Sequence, residues 1–133
     1  MAFFKRKSKN SKKEYAGSAP DFEWKEKNSE LIAAINKPDL DKALALGQEL
    51  VEYVDRVFRK DNPQKATTYN NMGMVFMMKG DYELAEECFR DALAMRKRIF
   101  GKDHNEVAVI LLNMAELYRI QAREIMGKNR VET

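Results

Sequence analysis

The chain is poor in the residues that staple or break a fold. A single cysteine, Cys88, rules out an intramolecular disulfide and fits a reducing compartment. Three prolines and six glycines in 133 residues leave long uninterrupted stretches. These are rich in Ala, Leu, Met, Glu, Lys and Arg, which favour helix. No apolar run approaches the roughly 18–20 residues that a membrane-spanning helix needs. The basic start, MAFFKRKSKNSKK, leads into no apolar region, so a secretory signal is not expected.

Histidine is just as scarce. His104 is the only one, and with one cysteine it makes no pair at metal-ligand spacing, which removes zinc. His104-Asn105-Glu106 shares letters with the start of a zinc-deaminase motif, but the later cysteine pair is missing. No glycine-rich loop could cradle a phosphate. The expectation is therefore no cofactor, no catalytic residue and no enzyme activity. His104 stands where Asn62 stands one repeat earlier, at a helix start, and reads as a cap or loop residue. Cys88, beside Phe89 on an apolar face, reads as a buried small hydrophobe.

Charged residues make up 34% and apolar ones 44%, a balance that suits one folded domain rather than a disordered chain. The net charge of +3 hides a division. Lys5, Arg6, Lys7, Lys9, Lys12 and Lys13 face only Glu14 in residues 1–15, so the rest of the chain is slightly acidic. Residues 1–20 are expected to be a flexible basic arm, 21–127 a helical domain and 128–133 a tail.

Shifting the sequence by 42 positions aligns Asp39, Ala43, Arg56, Phe58, Lys60, Asp61, Ala66, Asn71 and Met72 with identical residues, ending in Asn71/Asn113 and Met72/Met114. Nine identities fall in 35 pairs, where chance supplies about two, and a fixed offset of this size marks stacked helical hairpins. Five helices are predicted. The first covers about 22–36, closed by Lys37-Pro38, and the second about 40–59. The third begins after the Asn62-Pro63 cap and runs to Lys79. Gly80 stops it, and Asp81 caps a fourth helix to Phe100, whose basic end at Arg96, Lys97 and Arg98 suits the helix dipole. The fifth covers about 105–126, stopped by Gly127.

Residues 66–93 resemble the tetratricopeptide repeat. Its signature positions appear as Tyr69, Met72, Gly73, Phe76, Gly80, Ala85, Phe89 and Ala92. Gly73 and Ala85 let two helices approach, while Tyr69, Phe76 and Phe89 fill the wedge between neighbours. The 42-residue spacing is similar to the longer repeat of kinesin light chains. The match is weaker earlier: Leu31 takes the glycine position, Pro38 the turn glycine and Gly47 the phenylalanine position. The third unit has only its first helix, with Leu111, Met114, Ala115 and Tyr118. The resemblance implies an all-α fold, a right-handed α-solenoid of about two and a half units.

It also implies function: a non-enzymatic adaptor that binds a peptide segment or partner helix in a concave groove lined by first helices. Groove positions fall at Lys25, Asn28, Ser29, Ile32 and Asn36, then Thr67, Asn70, Asn71, Met74, Met77 and Met78. On the last helix they are Val109, Leu112, Asn113, Glu116 and Arg119. Asn28, Asn70, Asn71 and Asn113 form an amide ladder; an amide both donates and accepts, so it can pair with an extended peptide's backbone. Met74, Met77 and Met78 either offer an adaptable apolar wall or pack against adjacent first helices.

Two partner expectations remain. The last helix carries more apolar residues than one neighbour can cover, so it is either a cap or a homodimer contact. Phe3 and Phe4 with Lys5, Arg6, Lys7, Lys9, Lys12 and Lys13 could make a weak anionic-membrane contact. That would support an alternative, a self-associating scaffold recruited to membrane or polyanion. A dedicated nucleic-acid site is not expected, because basic and aromatic residues do not interleave in the folded part. The location implied is cytoplasmic, or peripheral at a membrane.

Overall fold

The computed structural model describes residues 19–132, and all of its regular structure is helical. The helices are α1 (Ala19–Asn36), α2 (Leu40–Val57), α3 (Pro63–Lys79), α4 (Tyr82–Phe100) and α5 (Asn105–Glu132). Each packs on the next, and α3 also touches α1 and α5, while α2 and α4 share no such contact. Inner helices in contact and outer helices splayed make the stack curl towards the inner face. This is the solenoid arrangement expected from the repeat.

Local chemistry sets the ends. Asp39, Asn62 and Asp81 cap α2, α3 and α4, their side-chain oxygens accepting the backbone N–H of Lys42, Lys65 and Leu84. Pro63 follows its cap at the first turn of α3, where no intrahelical N–H partner is needed. Gly80 takes φ 86°, and α3 closes with Gly80 N–H donating to Met77 C=O and Asp81 N–H to Phe76 C=O. Those two bonds satisfy carbonyls that a side-chain-bearing residue in left-handed geometry would satisfy only with strain. At α5, His104 acts as the cap: its Nδ1 accepts from Glu106 N–H at 3.0 Å, and its ring stacks 4.5 Å from Phe100.

Three boundaries differ from expectation. Helix α1 begins at Ala19 rather than Phe22, tied down where Tyr53 Oη donates to Pro20 C=O at 3.0 Å. Helix α2 ends at Val57, two residues early. Helix α5 runs through Gly127 to Glu132, into the residues expected as a tail. A lone glycine costs a helix only about 1 kcal/mol relative to Ala, and no proline follows to end it.

Two core clusters share α3. Leu31, Ala34, Ala43, Leu50, Val54 and Val75 form the first; Ala85, Phe89, Ala92, Ile110 and Leu117 form the second. Gly73 owes its place to Phe89: a Cβ there would lie 2.5 Å from the Phe89 ring. The weakly matching first unit exchanges large for small. Leu31, at the position of Gly73, is fully buried, and Gly47, at the position of Phe89, lies directly under the Met72 thioether. The apparent loss of pattern there is a volume exchange that keeps the core filled.

The Gly73–Phe89 contact generates a stability prediction. Gly73→Ala forces a methyl into the ring, a cost of about 1–3 kcal/mol, against a helix-propensity gain of about 1 kcal/mol. In urea unfolding, Gly73→Ala should lower the midpoint. In a Phe89→Leu background the same change should be neutral or stabilising.

Candidate binding groove and outer pocket

A seam of side-chain hydrogen bonds runs between the parallel inner helices, about one per turn. From α1 to α3, Gln64 Nε2 donates to Asp21 Oδ1 at 2.8 Å. One turn on, Trp24 Nε1 donates to Thr68 Oγ1 at 2.8 Å. Next, Asn71 Nδ2 donates to Asn28 Oδ1 at 2.9 Å. From α5 to α3, Asn113 Nδ2 donates to Asn70 Oδ1 at 2.9 Å. Arg96 adds a tie from α4. Its buried guanidinium donates to Glu106 C=O at 2.9 Å and to Thr67 Oγ1 at 3.2 Å. Of the three cations at the end of α4, this one turns inward to join three helices, and Arg98 pairs with Asp61.

The amide ladder is therefore brought together as two pairs, Asn28–Asn71 and Asn70–Asn113. Asn28, Asn70 and Asn71 are buried, and Asn113 is half-buried. Each pair uses one donor and one acceptor internally. Among the described residues no buried side-chain nitrogen or oxygen lacks a partner. The unbonded halves, the NH₂ of Asn28 and Asn70 and the C=O of Asn71 and Asn113, are therefore not sealed off and keep a narrow contact with solvent, with Asn28, Asn70 and Asn71 only 6–9% exposed. Together they present a donor and an acceptor from each pair.

Around the pairs, Lys25, Met78 and Arg119 are exposed, while Met74 and Met77 are half-buried and lean on the second core cluster. Glu116 and Arg119 form an ion pair one turn apart, with Arg119 Nε 3.2 Å from Glu116 Oε1. Leu112 is 70% exposed and Val109 and Ile32 are also open, so polar amides alternate with apolar surface. Phe3, Phe4 and the basic residues Lys5, Arg6, Lys7, Lys9, Lys12 and Lys13 lie outside the described residues.

A family model described as Tetratricopeptide repeat matches residues 36–98 and, overlapping, 64–124. The chain belongs to that family. A search of the curated proteins found no match. Repeats of this family are non-enzymatic and mediate protein–protein interaction, and no helix among the described residues is long and apolar enough to cross a membrane.

On the other side of α3, this tetratricopeptide repeat chain carries a second concavity. Residues 69, 72 and 76 lie half a turn around the helix from 67, 70, 74 and 78. Tyr69, Met72 and Phe76 floor a pocket of about 540 Å³ that fills the gap between the splayed α2 and α4. Glu52 stands on one lip, with Glu87, Cys88 and Asp91 on the other. Asp55 accepts from the Tyr69 hydroxyl at its edge. The Cys88 thiol is pushed up to about 11, by burial first and then by the charges of Asp91 and Glu87.

Sequence reasoning placed the asparagines but missed Trp24, Thr68, Asp21, Gln64 and Arg96 as members of the seam. The available signal was an offset of 43–44 residues between polar partners, the repeat length plus one or two. The outer pocket carries a weaker signal, acids spaced three or four apart on both second helices. Cys88 is half-buried rather than a core residue, and it lines this pocket.

A raised thiol pKa means that the neutral form dominates at neutral pH. At pH 8, alkylation of Cys88 should run on the order of 100-fold slower than that of an unperturbed thiol. The rate should climb about tenfold per pH unit until near 11. A pH-independent rate, followed by mass spectrometry, would contradict the assignment.

Proposed function

We propose that the inner face is an adaptor groove for an extended segment of another protein. The observation that carries this reading is the solvent-facing half of each asparagine pair. A fixed donor and acceptor from Asn28–Asn71, and another from Asn70–Asn113, match the alternating C=O and N–H of an extended backbone. Because each amide is already held by its partner, little side-chain entropy is lost when a ligand binds. Ile32, Met78, Val109 and Leu112 supply apolar contact between the amides, and Met78 can adjust to different side chains. Lys25, Glu116 and Arg119 set charge preferences at the rim.

The test starts with peptides selected on the wild-type chain from a random-sequence display library. The double variant Asn71→Ala, Asn113→Ala should remain helical by circular dichroism, with a stability loss of about 1–3 kcal/mol from the broken pairs. Its capture of those peptides should fall by about tenfold or more. Unchanged affinity with intact helicity would overturn the reading.

A second reading, self-association through α5, is favoured by that helix's own surface. Leu111, Tyr118, Ile125 and Met126 are all exposed, the last at 60%. Leu111 and Tyr118 occupy the positions of Tyr69 and Phe76, which in the preceding unit contact a following helix. A second copy would supply the missing cover. Sedimentation should show dimer that Leu111→Ser with Ile125→Ser removes; a strict monomer at high concentration would exclude it.

A further inference from the structure

The outer pocket has a floor suited to aromatic side chains and a lip with uncompensated negative charge. Tyr69 and Phe76 give it π surface, which receives aromatic rings well, and Met72, buried with its thioether over Gly47, closes the floor between them. Glu52, Glu87 and Asp91 form no ion pair among the described residues, in contrast to Glu49, Asp61 and Glu86, which all do. Four carboxylates, counting Asp55 at the edge, thus surround an apolar slot. The only nearby cation paired with them is Lys65, 3.9 Å from Asp55. The inner groove has the opposite balance, with Lys25 and Arg119 against Glu116.

The chain itself contains the complement. Phe3-Phe4 followed by Lys5, Arg6 and Lys7 combines two rings with adjacent cations, in a segment carrying five net positive charges over residues 1–15. The described chain begins near the same end of α2: Pro20 C=O accepts from Tyr53 Oη, and Tyr53 lies about 100° round that helix from Glu52, so the arm passes around α2 to reach the pocket. The fourteen residues from Lys5 to Ser18 reach at most about 50 Å when extended. A random-coil segment of that length averages roughly 20 Å end to end. A tether of this size holds the rings at an effective concentration in the mM range, so modest intrinsic affinity gives high occupancy.

We propose that the outer pocket between α2 and α4 is a docking site for the chain's own N-terminal arm, with Phe3 and Phe4 on the Tyr69–Met72–Phe76 floor and Lys5, Arg6 and Lys7 against Glu52, Glu87 and Asp91. Docking masks the arm's cations, so polyanion or membrane contact by the arm and docking exclude each other. The proposal stands apart from the adaptor reading, since the two faces of α3 are separate.

Cys88, the only thiol, lies on the pocket's lip and reports occupancy in the full-length chain. Its alkylation by N-ethylmaleimide at one fixed pH should rise about fivefold or more in Phe3→Ser, Phe4→Ser relative to wild type. The same rise should follow in Glu52→Gln with the arm intact, a change that leaves in place Asp91 and Glu87, the carboxylates that raise the Cys88 thiol. About 0.5 M salt, where screening shortens to roughly 4 Å, should raise the wild-type rate more than that of the Phe3→Ser, Phe4→Ser chain. Equal rates in wild type and the Phe3→Ser, Phe4→Ser chain would overturn the proposal. A photo-crosslinking phenylalanine analogue at position 4 locates the arm. Intramolecular crosslinks to α2 or α4 support docking. Crosslinks to α1 or α5, or to a second copy in a concentration-dependent manner, overturn it. So does retention of wild type on anionic phospholipid vesicles with Cys88 reactivity unchanged.

Discussion

Parallel helices such as α1, α3 and α5 cannot be joined through their backbones, because every interior N–H and C=O is used within its own helix. Side chains must set their spacing and their register. Apolar contacts alone tolerate sliding by a residue, whereas a buried amide left without its partner loses the full cost of its desolvation. The seam of Gln64–Asp21, Trp24–Thr68, Asn71–Asn28 and Asn113–Asn70 therefore acts as a register lock. It also sets the direction in which the unbonded halves of the amides point.

The curl has a counterpart on the outside. Drawing α1, α3 and α5 together leaves α2 and α4 apart, and the space between them becomes the outer pocket. One packing constraint thus creates two concave surfaces of different character. The inner one is lined by neutral amides, methionines and a small excess of cations. The outer one has an aromatic floor and an acidic lip. They lie on opposite sides of α3 and share no lining residue.

Much of the fold could be read before any coordinates. Nine matches at an offset of 42, capping residues Asp39, Asn62 and Asp81, and Gly80 as a stop located four helices to within a few residues. Capping is legible because it is local: it depends on a side chain and an N–H three residues away. Gly127 misled for a related reason, since a glycine ends a helix only when the following residues turn away. The first unit looked degenerate because its residues were compared position by position. Leu31 and Gly47 had exchanged volume with each other's counterparts, and Met72 from the next hairpin filled the difference.

What the sequence by itself determined is the repeat, the helical hairpins and the residues assigned to each helix face, because periodicity and capping are properties of neighbours along the chain. Which polar groups are spent and which stay free was decided only by tertiary structure. Asn28 and Asn71 are 43 residues apart, and no local rule states that one amide accepts from the other. The same holds for the pocket, whose floor and lips come from three helices. Its shape depends on how far α2 and α4 splay, a distance that packing of the inner helices sets.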